Sequence, residues 1–172
     1  MEQKPKRNWF KELLPYVIIV VVVVLIRTFI VTPIQVQGTS MVPTLKDKEI
    51  LLLKKYDHTF ERFDIVVFNY NGERLIKRVI GLPGEHVEYR DNQLYIDGKN
   101  VEEKFDTNSK TADFKLEDID YETIPKDYYF VMGDNRNNST DSRIIGLVPA
   151  KVIKGSTNFS LFPFGTFGKI TD

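Results

Sequence analysis

The stretch GTSMVPTL, residues 38–45, places Ser40 between a threonine and a methionine with no histidine nearby. A serine hydroxyl is a poor nucleophile unless a neighbouring base takes its proton, an effect worth about 10²- to 10⁴-fold in rate. Histidine is the usual base, and the chain has two. His58, in the polar stretch KKYDHTF, reads as a surface residue, and His86 opens a hairpin strand beside Glu85. Lys77 is the stronger candidate. In RLIKRVI, residues 74–80, strand alternation puts Leu75, Lys77 and Val79 on one face and Ile76, Arg78 and Ile80 on the other. An amine held between aliphatic neighbours on an inward face is desolvated, which disfavours its charged form. Lowering it from about 10.4 to near 7.4 requires roughly 4 kcal/mol of destabilised charge, within reach of an apolar pocket. Two competing readings stand beside this one: Lys77 and Arg78 as charges that guard an edge strand, and Ser40 as an ordinary turn residue.

Composition removes other chemistries. The chain has no cysteine, so a disulfide framework, a thiol nucleophile and thiolate metal sites are excluded. Two histidines do not make a three-histidine zinc site, and neither lies in an H-E-x-x-H spacing. Neither a metal nor a cofactor is expected. With 24 basic and 24 acidic residues, no overall field favours nucleic acid.

The elements that must position these residues begin with LLPYVIIVVVVVLIRTFIV, residues 13–31, which is uncharged up to Arg27. As a helix its 19 residues span about 28 Å, close to the roughly 30 Å hydrocarbon core. The valine run would favour a strand in water, but an isolated strand in lipid leaves its amides unpaired, so helix is expected. Residues 1–12 carry Lys4, Lys6, Arg7 and Lys11 against Glu2 and Glu12, a basic tail that predicts a cytoplasmic N-terminus with residues 32–172 outside. A cleaved signal peptide and a buried core segment are the alternatives. No A-x-A-like site follows the apolar run.

Beyond the span the pattern is mostly β. FDIVVFNY (63–70), RLIKRVIG (74–81), HVEYRDNQLYIDG (86–98) and KDYYFVMGD (126–134) are rich in β-branched and aromatic residues, and Asp91-Asn92 and Asp97-Gly98 mark turns. Residues 99–125 are polar and without a clear period, so a surface excursion or small subdomain inserted between core strands is expected there. The predicted architecture is one transmembrane helix followed by a mostly β domain of about 140 residues, a length that makes one domain rather than two the expectation.

Three stretches in order behind the span, GTSMVPTL (38–45), RLIKRVIGLPGE (74–85) and GDNRNNSTDSR (133–143), together with RFDIVVF (62–68), resemble the bacterial type I signal peptidases, most closely those of Gram-positive bacteria. The resemblance runs from the span to about residue 165. It implies a signal-peptidase-like β fold and a membrane-bound serine endopeptidase that removes signal peptides by a Ser-Lys dyad and an acyl-enzyme. Its implied partners are secretory preproteins with small-x-small cleavage sites, and membrane lipid. By position, Ser40 matches the nucleophile and Lys77 the general base. Ser139 matches a hydroxyl that bonds the lysine amine, Asp141 and Arg143 an ion pair near the site, Gly133 a close backbone approach, and Met41 the residue after the nucleophile.

Two positions depart from the pattern. Gly38 stands where some members carry a serine or threonine that completes the oxyanion hole, so backbone N–H groups, that of Ser40 first, must serve instead. Asn137 stands where many have aspartate, a change expected to affect loop packing. Near the C-terminus Phe159, Phe162, Phe164 and Phe167 either dip into the lipid interface or pack the last strand. A non-catalytic anchored β domain would keep the span and sheet with no need of Ser40 and Lys77 together. A Ser-Lys protease of the self-cleaving repressor kind would need a DNA-binding domain in place of the span. Oligomeric state is not readable from the sequence.

Overall fold

The computed structural model describes residues 9–55 and 59–170; His58 and most of the basic tail lie outside the described residues. Helix α1 (Trp9–Phe29) has 21 residues, about 31 Å, and its side chains from Leu13 to Ile26 are exposed all round. A helix that is apolar on every side with no protein packed against it fits a bilayer, not a core. The helix starts four residues earlier than expected and stops short of Val31. There the chain gains a ladder partner: Val31 pairs with Lys54, and the Thr32 hydroxyl donates to the Arg27 carbonyl at 2.8 Å, so sheet pairing replaces the helical bond.

Strands β1 (Val31–Gln35), β2 (Ile50–Lys54), β3 (Ile65–Tyr70) and β4 (Glu73–Gly81) lead into a second group, β5 (Val87–Arg90), β6 (Gln93–Ile96), β7 (Lys99–Val101) and β8 (Phe114–Lys115). The chain then returns through β9 (Tyr128–Met132), a single helical turn α2 (Ser142–Ile145), β10 (Val148–Pro149), β11 (Ile153–Phe162) and β12 (Gly168–Lys169). The large sheet has the order β1-β2-β11-β3-β4-β9-β10, with β12 beside β11; the small sheet has the order β7-β6-β5-β8. Two-residue turns with positive φ at both positions join β3 to β4 (Asn71-Gly72), β5 to β6 (Asp91-Asn92) and β6 to β7 (Asp97-Gly98). Asn, Asp and Gly accept that left-handed geometry at low cost.

The excursion expected at 99–125 corresponds to part of a larger inserted unit that already begins with β5. Nor is it a surface excursion, because Phe105, Phe114, Leu116 and Ile124 are buried against Ile80, Phe130 and Met132 of the large sheet. Their spacing has no period because short strands and loops, not one long element, carry each of them inward. Full burial of such side chains contributes roughly 1.5–3 kcal/mol apiece. The other face-to-face packing closes the curved large sheet over Ile34, Met41, Leu45, Leu51, Val67 and Ile76. Met41 thus anchors the turn that carries Ser40.

Candidate active site

Lys77 lies on β4, which is paired on one side with β3 and on the other with β9. It is an interior strand, so the edge-guarding reading of Lys77 and Arg78 does not hold. Lys77 stands opposite Val66 and Val79 opposite Val131, so the lysine shares a sheet face with Leu75 and Val79 as the alternation requires. The side chain is 1% exposed. Burial is the main influence on its amine and lowers the pKa from 10.5 to about 8, while the negative charges of Asp141 and Asp134 pull it partly back up. Each pH unit of that lowering is about 1.4 kcal/mol, so the site carries roughly 3 kcal/mol of bias toward the neutral amine.

Ser40 belongs to the turn that follows β1. The chain leaves the sheet at Val36, which is buried, and turns back with Val42 N–H donating to the Thr39 carbonyl (3.1 Å) and Leu45 N–H to the Met41 carbonyl (2.8 Å). The turn delivers Ser40 Oγ to 2.7 Å from Lys77 Nζ, and the amine donates to the Ile76 carbonyl at 2.9 Å. With the amine neutral, one N–H goes to that carbonyl and the lone pair is left for the serine proton.

The segment after β9 grips this turn from the other side. Asn135 N–H donates to the Ser40 carbonyl (3.0 Å), Asn135 Nδ2 to the Thr39 carbonyl (3.0 Å) and Asn138 Nδ2 to the Thr39 hydroxyl (3.3 Å). Gly133 packs directly on the Ser40 carbonyl oxygen and on Ser139, so a Cβ added there would fall inside van der Waals distance of both. Asp141 and Arg143 form a two-pronged ion pair, 2.9 and 2.8 Å, and the second Asp141 oxygen also accepts the Gly133 N–H at 3.0 Å. The pair therefore fixes the glycine that touches the serine turn. Gly133→Ala is expected to displace Ser40 and lower the cleavage rate about 10²-fold without unfolding the sheet. Peptide cleavage beside circular dichroism checks it; a rate within about twofold of the parent would mean the loop yields.

One expected bond is absent among the described residues. The Ser139 hydroxyl is buried without a hydrogen-bond partner among the described residues, and the amine's bonds run to Ser40 and Ile76 instead. Ser139 sits beside the site through its contact with Gly133, not through a bond to Lys77. Arg78, which alternation treated as a strand charge, is 1% exposed and clamps Asp134 with Nε (3.0 Å) and Nη2 (2.8 Å), while Thr44 donates its hydroxyl to Asp134 (2.6 Å). Asp134 follows Gly133 and Thr44 belongs to the Ser40 turn, so this pair ties β4 to both halves of the site. The signal in the sequence is the arginine next to Lys77 and the aspartate inside GDNR, but neither residue type by itself marks a buried pair. Gly38 is exposed and gives its N–H to Asp47 Oδ1 at 2.8 Å. Asn137 is exposed, and His86 faces Glu117 on the surface, remote from Ser40 in its contacts.

The chain as a whole is similar to known proteins. The family model for signal peptidases, peptidase S26, matches residues 7–162. The chain belongs to this family. It is 44% identical to a signal peptidase I of Bacillus amyloliquefaciens, over 94% of this chain and 91% of that one. It is 42% identical to signal peptidase I S of Bacillus subtilis strain 168, over 98% and 95%. The crystal structure of a signal peptidase I from Enterococcus faecalis V583 superposes with a TM-score of 0.52 at 43% identity, covering 57% of this chain and 96% of that one. Its likeness carries the β architecture, and membership of a family of signal peptidases, with relatives named signal peptidase I, speaks against the reading as a non-catalytic β domain.

Proposed function

We propose that Ser40 is the nucleophile and Lys77 the general base of this member of the signal peptidase family, a serine endopeptidase that removes signal peptides from exported precursor proteins. The observation that carries the assignment is the 2.7 Å approach of a fully buried amine to a turn hydroxyl. Neutral Lys77 takes the Ser40 proton as Oγ attacks the scissile carbonyl. The protonated amine then gives that proton to the departing amine of the mature protein, leaving an ester on Ser40. Lys77, neutral again, draws a proton from the water that hydrolyses the ester. The developing oxyanion needs a donor, and the Ser40 N–H is the one best placed: it donates to nothing among the described residues, whereas the Gly38 N–H is taken by Asp47.

The precursor binds as an added strand. Among the described residues β1 pairs only with β2 and its other edge is open, and it runs straight into the Ser40 turn. Main-chain pairing there sets the register, and the crowding around Gly133 and Met41 favours small side chains one and three residues before the cut. The apolar α1 anchors the enzyme in the membrane. Its orientation follows from the basic residues ahead of it: N-terminus in the cytoplasm, residues 32–172 outside, a single pass. Phe162, Phe164 and Phe167 are exposed, Phe164 at 83%, which supports their contact with lipid. Within the outer part the inserted unit is best drawn from β5 to β8 and its following loop, roughly 82–127.

Incubating the detergent-solubilised chain with a precursor bearing an A-x-A site, then sequencing the product's N-terminus, tests the reading. One cut directly after the second alanine is expected. An intact precursor, or a cut elsewhere, contradicts it.

A further inference from the structure

Where α1 meets the sheet, the curved face of the large sheet opens into a cavity of about 360 Å³ lined by Thr32, Ile34, Leu53, Lys55, Val67, Asn69, Arg74 and Lys154. Its floor is apolar, from Ile34, Leu53 and Val67, and its rim carries three cations with no carboxylate among the lining residues. Lys55 is held in place, donating to the carbonyls of Arg27 (3.3 Å) and Thr28 (3.1 Å) at the end of α1. The side chains of Arg74 and Lys154 make no ion pair or hydrogen bond among the described residues, and neither does the side-chain amide of Asn69. Asn69 and Arg74 are cross-strand partners at the end of the β3–β4 hairpin, so their side chains lie on one face. Three like charges drawn together without an acid repel one another, an arrangement that an anion relieves.

Position selects the anion. Thr32 lies three residues beyond the end of α1, and Lys55 N–H bonds the Ile30 carbonyl, so the cavity opens within one strand residue or two of the anchor. Given the anchoring proposed above, on which this inference rests, the cavity mouth lies at headgroup level. We propose that it binds the phosphate of an anionic lipid, with Arg74, Lys154 and Lys55 around the phosphate and the apolar floor under the glycerol and first methylenes. Such cationic pockets beside a span are the expected headgroup sites on a membrane protein. Seating a lipid here would fix the tilt of the sheet on the membrane, and with it the height of the open β1 edge.

The test uses the full chain reconstituted in phosphatidylcholine vesicles with a trace of photoactivatable phosphatidylglycerol or photoactivatable phosphatidylcholine, followed by mapping of the crosslinks. The anionic probe should label the cavity residues at least about tenfold more than the zwitterionic one, since only its headgroup carries a net charge for the cations to hold. Arg74→Glu with Lys154→Glu should remove that excess, while labelling of α1 and cleavage of a soluble peptide in detergent stay at the parent level. Lys126→Glu with Lys151→Glu, the same charge change beside β10 at the far edge of the sheet, should leave the excess in place. Equal labelling by both probes, or an excess lost equally in both double variants, overturns the site. Loss of the excess on adding millimolar inorganic phosphate assigns the pocket to a soluble anion and overturns the lipid. Absence of α1 labelling by either probe is a separate result, which would overturn the anchoring itself.

Discussion

Lys77→Met is expected to reduce precursor cleavage by at least about 10⁴-fold and leave the protein folded and in the membrane. Methionine keeps the volume and unbranched shape of the lysine stem, so the strand face beside Val66 and Val79 stays filled and only the lone pair is lost. Without it, the hydroxyl has no acceptor for its proton, and general-base loss and nucleophile loss become the same defect. Ser40→Ala should therefore fall to the same floor, and the double variant should be no worse than either single one. Gel or mass-spectrometric assay of a precursor measures all three. A lysine variant that retains more than about 1% of parent activity would show that another group takes the proton. Stability should move the opposite way, since removing a buried amine that is charged below pH 8 relieves a desolvation cost.

The second large effect is on stability. Asp134 and Arg78 are each about 1% exposed and meet through two hydrogen bonds, with Thr44 adding a third to the carboxylate. Breaking a buried pair by deleting one partner typically costs about 3–5 kcal/mol, and a guanidinium does not escape the cost by losing its proton. Asp134→Ala is therefore expected to lower the denaturation midpoint of the solubilised protein by many degrees. Replacing both, Arg78→Met with Asp134→Leu, should recover a large part of the loss, because two apolar groups of similar volume leave no charge behind. A single variant as stable as the parent would mean that the pair contributes nothing to the fold. Activity should fall with stability in Asp134→Ala, since the pair joins β4 to the turn bearing Ser40.

The strands with alternating residues were legible in the sequence, and so were the turns that need left-handed residues. Lys77 is the clearest case: Leu75, Lys77 and Val79 do share a face, because strand periodicity is a local property. What alternation does not contain is the neighbour across the sheet. Nothing in RLIKRVI says that β4 is interior, and that is what turns Arg78 from a surface charge into half of a buried pair. The short strands were hidden for a related reason. β1, VTPIQ, runs on from the apolar span and contains Pro33, whose missing N–H is tolerated because the strand lies at an edge. In the inserted unit Phe105 and Ile124 reach the core from loops, so no period marks them. Ser40 and Lys77 came from motif order as well as residue type; their contact across 37 residues of chain is a product of the fold.

As the proposed base, the Lys77 amine must be neutral while Ser40 attacks. Its folded-state pKa of about 8 lies below the ordinary 10.5, so the amine gives up its proton earlier in the folded chain than in the unfolded one. The unfolded chain therefore binds more protons between about 8 and 10.5, and folding stability rises with pH across that window. Activity follows the neutral fraction of the folded form. The pH dependence of kcat/KM for a peptide substrate should climb about tenfold per unit at low pH, bend near 8 and then level off, with the bend absent from any residual activity of Lys77→Met. A rate independent of pH from 6 to 10, or a bend that survives in the methionine variant, would show that Lys77 is not the base.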